Sequence, residues 1–193
     1  MYRDTADRLL RPVGPDEVQL LDALAEMGFL DPSTALGDWR GIVASAGDDG
    51  LSPDLLASLL GVMAQNAAPD TSLRNLRRCL QSWDDPGGWL EFLGQRSRAV
   101  EILVRLLVNS QFLTELVLKY PEYLRRLTES KRLSEVRSRD EFLADFRAAA
   151  SEAELDPVDA VRRIQRWELL RIAACDFFGL MDLRRITLQL SLL

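Results

Sequence analysis

The chain has 193 residues, of which 47% are hydrophobic and 28% are charged, and its formal net charge is −6. This is the composition of an ordinary globular protein, and the negative charge disfavours a role that depends on binding nucleic acid phosphates. Histidine is absent from the sequence, which removes the usual general base and a common metal ligand.

Three further features of the sequence indicate its compartment. No apolar run reaches the roughly 18 residues that a membrane-spanning helix needs, and the first ten residues, MYRDTADRLL, contain no hydrophobic signal core. The cysteines, Cys79 and Cys175, lack a CxxC spacing, which predicts two free thiols in a reducing environment. We therefore expect a cytoplasmic protein without a membrane partner.

Helix start signals recur along the chain. A capping Asp or Ser precedes a Pro, which suits the first helical position, at Asp31-Pro32, Ser52-Pro53 and Asp156-Pro157. Gly28 and Gly179 are expected to end two of the helices. With apolar residues at helical spacing, these signals predict helices that begin, in chain order, near Pro15, Asp31, Ser52, Asp70, Ser97, Ser110, Pro121, Arg139, Asp156 and Asp182.

The predicted fold class is all-α, because no segment alternates β-branched and polar residues as a half-buried strand would. We expect about ten short-to-medium helices in an irregular bundle, ending in a long helix from Asp156 to about Phe178 and a helical hairpin. Residues 1–193 form a single helical region in this prediction. The break Asp84–Gly88 could subdivide it into 1–84 and 89–193, and Thr128–Arg139 is a second candidate boundary.

The segment Lys119–Arg139 contains seven basic residues against three acidic ones. It could form a nucleic-acid surface, but the only aromatic residues among the bases are Tyr120 and Tyr123, and the chain as a whole is acidic. A solvated connector between helices is therefore the preferred interpretation.

The residues supply no catalytic, cofactor-binding or metal-binding set. No glycine-rich loop has the spacing of a nucleotide-binding fingerprint. The acidic pairs Asp48-Asp49 and Asp84-Asp85 lie in Gly- and Pro-rich stretches, where a solvated turn is favoured over a metal site. Cys79 falls on the apolar face of a predicted helix and is interpreted as a small buried hydrophobe. From its residues alone, the chain is predicted to be inactive.

Three charged residues interrupt the apolar second half of the long predicted helix: Glu168, Arg171 and Asp176. Glu168 and Arg171 are three apart and can pair on one face. Asp176 points away from Arg171 and is expected to need another partner, because a buried unpaired carboxylate is costly. Two interpretations stay open: structural ion pairs that fix how the helix docks, or side chains that brace an adjoining active site outside this chain.

Four segments in order carry a resemblance to the glutamine synthetase adenylyltransferases, also called adenylyl-removing enzymes. They are Met27–Trp39, Ala67–Leu80, Leu106–Leu127 and Trp167–Leu193. The last resembles the family's segment before its first catalytic domain, with Arg171-Ile172-Ala173 and Gly179-Leu180 at matching positions. Cys175 stands where the family usually has Arg, and Phe177 where it has Leu.

The resemblance implies a specific parent protein. Members of the family carry two nucleotidyltransferase domains, one that attaches AMP from ATP to glutamine synthetase and one that removes it by phosphorolysis, under control of a PII signalling protein and glutamine. Their Asp-x-Asp pair holds Mg²⁺, which positions the phosphates. That signature is expected beyond Leu193, so no catalytic or cofactor residue is assigned in this chain, and Mg²⁺ and ATP are expected only for the parent.

By this resemblance the chain is the N-terminal helical region of the enzyme, whose partners would be the downstream nucleotidyltransferase domain, glutamine synthetase and the PII protein. We then expect the isolated chain to expose an apolar patch around Leu170, Phe177, Leu183 and Leu190 and to self-associate. The alternative is a self-contained helical adaptor without catalysis, whose helix faces dock a partner. A nucleic-acid partner is disfavoured by the net charge.

Overall fold

A computed structural model describes residues 1–11, 17–47, 51–151 and 156–193, and every regular element in those ranges is an α-helix. The predicted all-α fold is confirmed. In chain order the helices are α1 (Tyr2–Leu9), α2 (Glu17–Glu26), α3 (Pro32–Ser45), α4 (Pro53–Ala64), α5 (Pro69–Ser82), α6 (Pro86–Gly94), α7 (Ser97–Asn109), α8 (Gln111–Lys119), α9 (Glu122–Glu129), α10 (Arg139–Ser151), α11 (Pro157–Phe177) and α12 (Leu183–Ser191). None of these helices is long and apolar enough to cross a lipid bilayer.

Local capping explains most of the helix boundaries. The side chain before the helix accepts a hydrogen bond from a first-turn N–H at five predicted positions: Asp31, Ser52, Ser110, Asp156 and Asp182. Gly28 and Gly179 take positive φ values of 91° and 60°, as the predicted helix ends require. After Gly179, the N–H of Leu180 donates to the carbonyl of Cys175 at 2.8 Å, which closes α11.

Two helices were not predicted from the sequence. Helix α1 packs against α4 and buries Thr5, Ala6 and Leu9. Helix α6 begins in the segment that was interpreted as a break, because Asp85 caps it by accepting from the N–H of Gly88 at 2.9 Å. The predicted start at Pro15 and the acidic pair Asp48-Asp49 lie outside the described residues.

The helices predicted to begin near Asp70 and Ser97 are present, but neither residue caps its helix. Asp70 lies in the first turn of α5 but does not cap it. Its carboxylate instead accepts hydrogen bonds from the backbone N–H groups of Leu30 and Asp31, at 2.9 and 3.2 Å, and so holds the start of α3. Ser97 is the first residue of α7 rather than its cap.

The chain divides into two compact units, Met1–Leu124 (unit 1) and Arg125–Leu193 (unit 2). The boundary falls within α9, and the segment Asp84–Gly88 lies inside unit 1. In unit 1, α5 packs against α3, α7 and α8, while α4 packs against α1 and α7; the large side chains of Trp39, Leu56 and Leu76 are fully buried there. In unit 2, α11 packs against both α10 and α12.

Candidate functional site

Two charged residues of α11, Glu168 and Arg171, belong to a buried network in unit 2. The Nε of Arg171 donates to the Oε2 of Glu168 at 2.7 Å, and the two side chains are only 5% and 1% exposed. The expected pair, three residues apart, is confirmed. Two charges this deeply buried are tolerated only when their remaining hydrogen-bonding groups also find partners.

The rest of the Arg171 guanidinium binds outside its own helix. Its Nη1 donates to the carbonyls of Leu133 and Glu135, at 2.5 and 3.2 Å, and its Nη2 donates to the Oε1 of Gln189 at 2.9 Å. Leu133 and Glu135 belong to residues 130–138, which join α9 to α10 and are called the connector below. Arg171 therefore fixes the connector and α12 to α11.

A second cation, Arg137 of the connector, completes the network. Its Nη1 donates to the Oε1 of Glu168 at 2.8 Å and its Nη2 donates to Asp145 of α10 at 2.6 Å. Its guanidinium also lies 4.7 Å from the ring centroid of Phe142. Partial burial acts to lower the pKa of Arg137, but the hydrogen bonds to Asp145 and Glu168 outweigh it and raise that pKa. The network thus contains two cations, Arg137 and Arg171, and two anions, Glu168 and Asp145, so that its formal charges sum to zero.

Gln189 of α12 is the neutral member of the network and is fully buried. Its Oε1 accepts from the backbone N–H of Arg137 at 3.0 Å as well as from Arg171, and its Nε2 donates to the carbonyl of Arg137 at 2.8 Å. Neither Gln189 nor Arg137 was singled out from the sequence. The available signal was Gln189 itself, a polar residue three positions after the buried Ile186 on the same helix face.

The basic residues of Lys119–Arg139 are solvated as predicted, since six of the seven are exposed and Arg137 is half-buried, but part of the connector is bound to the rest of unit 2. Leu133 is buried, and three connector carbonyls receive hydrogen bonds from Arg171 and Gln189. Backbone groups of a loop can lie against the protein interior when side chains satisfy their hydrogen bonds.

Asp176 does not need the partner that was expected for it. The prediction assumed that this carboxylate would be buried, but Asp176 is exposed on α11. It lies on the solvent side of a helix whose segment from Trp167 to Cys175 is otherwise mostly buried. Water can therefore solvate the charge, and the structure brings Glu168 and Arg171 together without it.

The predicted apolar patch is exposed only in part. Leu183 and Leu190 of α12 are 78% and 46% exposed, and Phe177 is half-buried. Leu170 is fully buried, which corrects the expectation for that residue. Of the four residues, the two that are exposed, Leu183 and Leu190, belong to α12.

Neither thiol is poised for nucleophilic chemistry. Burial raises the pKa of Cys79 to about 12. Burial also raises the pKa of Cys175, whose Sγ donates to the carbonyl of Leu133 at 3.1 Å. A thiol is reactive mainly as the thiolate, so both cysteines are structural.

Carboxylates that could hold a metal do not converge in the part of the chain that is described, since no three of its acidic or cysteine side chains group together. A cleft of about 530 Å³ in unit 1 is lined by residues that include Leu55, Asp85, Leu90 and Glu91. Because Asp85 is engaged as the cap of α6, the cleft offers no paired acid and base. The hydrogen bonds of the buried network in unit 2 hold helices in place.

Comparison of the sequence with known proteins finds relatives in one family. The model of the family described as glutamate-ammonia ligase adenylyltransferase matches residues 100–193, which include the whole network. The chain is similar to the bifunctional glutamine synthetase adenylyltransferase/adenylyl-removing enzymes of Streptomyces coelicolor, with 30% identity over 92% of this chain and 19% of the relative, and of Corynebacterium glutamicum, with 26% identity over 93% of this chain and 18% of the relative.

A third relative, the enzyme of the same description from Leifsonia xyli, is 30% identical over 95% of this chain and 18% of its own length. The chain thus spans about a fifth of the length of the curated relatives it matches. No solved structure matches it.

Proposed function

Since the chain belongs to the glutamate-ammonia ligase adenylyltransferase family, we propose that it is the N-terminal helical part of a bifunctional nucleotidyltransferase. The parent enzyme would adenylylate and deadenylylate glutamine synthetase and so control nitrogen assimilation. In this proposal the 193 residues act as a scaffold or regulatory region, without the catalytic Asp pair, in a cytoplasmic enzyme.

The observation that carries the proposal is the set of hydrogen bonds made by Glu168 and Arg171 of α11. Every hydrogen bond described above for Glu168 and Arg171 goes to the connector or to a helix of unit 2. Charged groups engaged in this way position helices rather than react with a substrate. This supports the interpretation of the two residues as a structural ion pair over the bracing of an adjoining active site. A bracing role for the exposed Asp176 stays a prediction.

The reaction needs ATP, and a Mg²⁺ ion would neutralise phosphate charge during transfer. Among the described residues no three acidic or cysteine side chains group together as metal ligands, and the residues of this chain carry no signature that would assign them to Mg²⁺ or ATP. We therefore assign no step of the reaction to this chain. ATP and Mg²⁺ are proposed to bind elsewhere in the parent enzyme.

The proposed partners are the parent's own nucleotidyltransferase domain, glutamine synthetase and a PII signalling protein. The exposed leucines of α12, Leu183 and Leu190, offer apolar surface to the first of these. No nucleic-acid or membrane partner is proposed.

The test begins with the intact mass of the natural protein purified from its own organism. The proposal expects a mass several times 21.8 kDa and transfer of AMP from labelled ATP to glutamine synthetase by that protein. The isolated 193 residues should show no transfer under the same conditions. A natural mass equal to that of the chain would favour the helical adaptor, and transfer by the isolated chain would contradict the scaffold role.

A further inference from the structure

Helix α12 buries little apolar surface. Its two buried residues are Ile186 and Gln189, which are 8% and 0% exposed, whereas Leu183, Leu188 and Leu190 are between 46% and 78% exposed. An isolated helix shorter than about 12 residues is marginal in water, and α12 has nine. Its position must therefore depend on a few specific contacts with the rest of unit 2.

The side chain of Gln189 provides the most specific of those contacts. Its amide makes three hydrogen bonds between 2.8 and 3.0 Å, two with the backbone of Arg137 and one with Arg171. A buried amide deprived of such partners is costly. The bonds therefore hold α12 in one position, since a shift along the helix axis would break all three together.

The network separates into a part that includes α12 and a part that does not. Without Gln189, Arg171 keeps its bonds to Glu168 and to the connector carbonyls of Leu133 and Glu135. Arg137 likewise keeps Glu168 and Asp145. These remaining bonds join α10, α11 and the connector to one another with no contribution from α12.

We propose that Gln189 is a polar latch that holds α12 on unit 2, and that α12 opens as a unit while α10, α11 and the connector stay folded. Segments with few buried apolar contacts open at lower free energy than the core they rest on. The latch follows from contacts within unit 2 and goes beyond the proposed enzymatic role, on which it does not depend.

The experiment is hydrogen exchange, read by mass spectrometry or NMR, on the 193-residue chain and its Gln189→Ala variant. Alanine favours helix more than glutamine does, so any loss of protection reports the latch and not helix propensity. The amides of Thr187–Ser191 should exchange roughly tenfold faster or more, because three hydrogen bonds of ordinary strength are lost. Those of Trp167–Cys175 in α11 should be unchanged. Leu188→Ala, on the outward side of the same helix, is the matched control and should alter neither.

A second measurement needs no variant and decides the question if Gln189→Ala does not fold. In the natural sequence under low urea, the amides of α12 should begin to exchange at lower urea than those of α11. The latch is ruled out if Gln189→Ala leaves the exchange of α12 unchanged. It is ruled out equally if α10, α11 and α12 lose protection together in either experiment.

Discussion

Glu168 on α11 and Arg137 in the connector are joined by a 2.8 Å ion pair across 31 positions of sequence, with the carboxylate only 1% exposed. The second oxygen of Glu168 binds Arg171 at 2.7 Å. One buried anion therefore holds two cations that belong to different segments. Its removal would leave more uncompensated charge than any other single change in unit 2 that we consider.

We expect Glu168→Ala to lower the free energy of unfolding by about 3–5 kcal/mol, the usual cost of breaking a buried ion pair from one side. The measurement is unfolding by urea, monitored by the far-UV circular dichroism of the helices. The control is Asp159→Ala on the same helix, which removes an exposed pair with Arg162 and should cost less than about 1 kcal/mol. Equal effects of the two variants would show that the network contributes no more than a surface pair.

A pH dependence is expected from the capping box that starts α10. The backbone N–H and the hydroxyl of Ser138 both donate to Glu141 at 2.7 Å, and these bonds hold the pKa of Glu141 below its usual value. A lowered folded-state pKa stabilises the protein above the unfolded-state value of about 4.3. That contribution is lost as the pH falls through the folded-state pKa.

The corresponding test compares Glu141→Gln with Asp140→Asn, an equal change of charge in the same helical turn. Thermal midpoints measured from about pH 3 to pH 7 should fall less steeply on acidification in Glu141→Gln than in the natural sequence. Asp140→Asn should retain more of the original slope. Identical slopes for Glu141→Gln and the natural sequence would contradict the assignment.

The two thiols should resist modification in the native protein. With its pKa raised to about 12, Cys79 is thiolate at pH 8 to roughly one part in ten thousand, and burial also shields Cys175. Labelling with a disulfide reagent at pH 8 should be slow until urea unfolds the chain. An added thiol at the exposed position Gln165, introduced as Gln165→Cys, should react within seconds to minutes. Fast labelling of Cys175 in the native chain would show that the connector does not stay closed over α11.

The exposed leucines of α12 should make the isolated chain self-associate weakly. We expect sedimentation velocity to show a rising average mass with concentration, and Leu183→Ser combined with Leu190→Ser to reduce it. Leu30→Ser is the control, since Leu30 is 92% exposed but lies in unit 1. A chain that stays monomeric at high concentration would argue against α12 as the surface through which copies of the chain associate.

The helix starts could be predicted because a cap is a local event. At Asp31, Asp156 and Asp182 the carboxylate accepts from an N–H two or three residues later, so the sequence window contains both partners. Asp85-Pro86 carries the same signal, although the two glycines that follow it favour a break.

Whether each of the three charged residues in the second half of α11 is buried or exposed could not be predicted in the same way. The sequence indicated that Glu168 and Arg171 can pair, since they are one helical turn apart. It could not indicate that Asp176 would be exposed, because exposure depends on which sides of α11 the other helices cover.

The sequence by itself thus determined the helical class, most of the helix boundaries, the close pair on α11 and the resemblance to the family. Tertiary structure alone decided which connector carbonyls α11 and α12 bind, and the roles of Arg137, Gln189 and Asp70. Their partners lie 31, 52 and 40 positions away. A hydrogen bond over such a separation forms only after packing brings the segments together and removes water from them, and no pattern of neighbouring residues encodes which segments will meet.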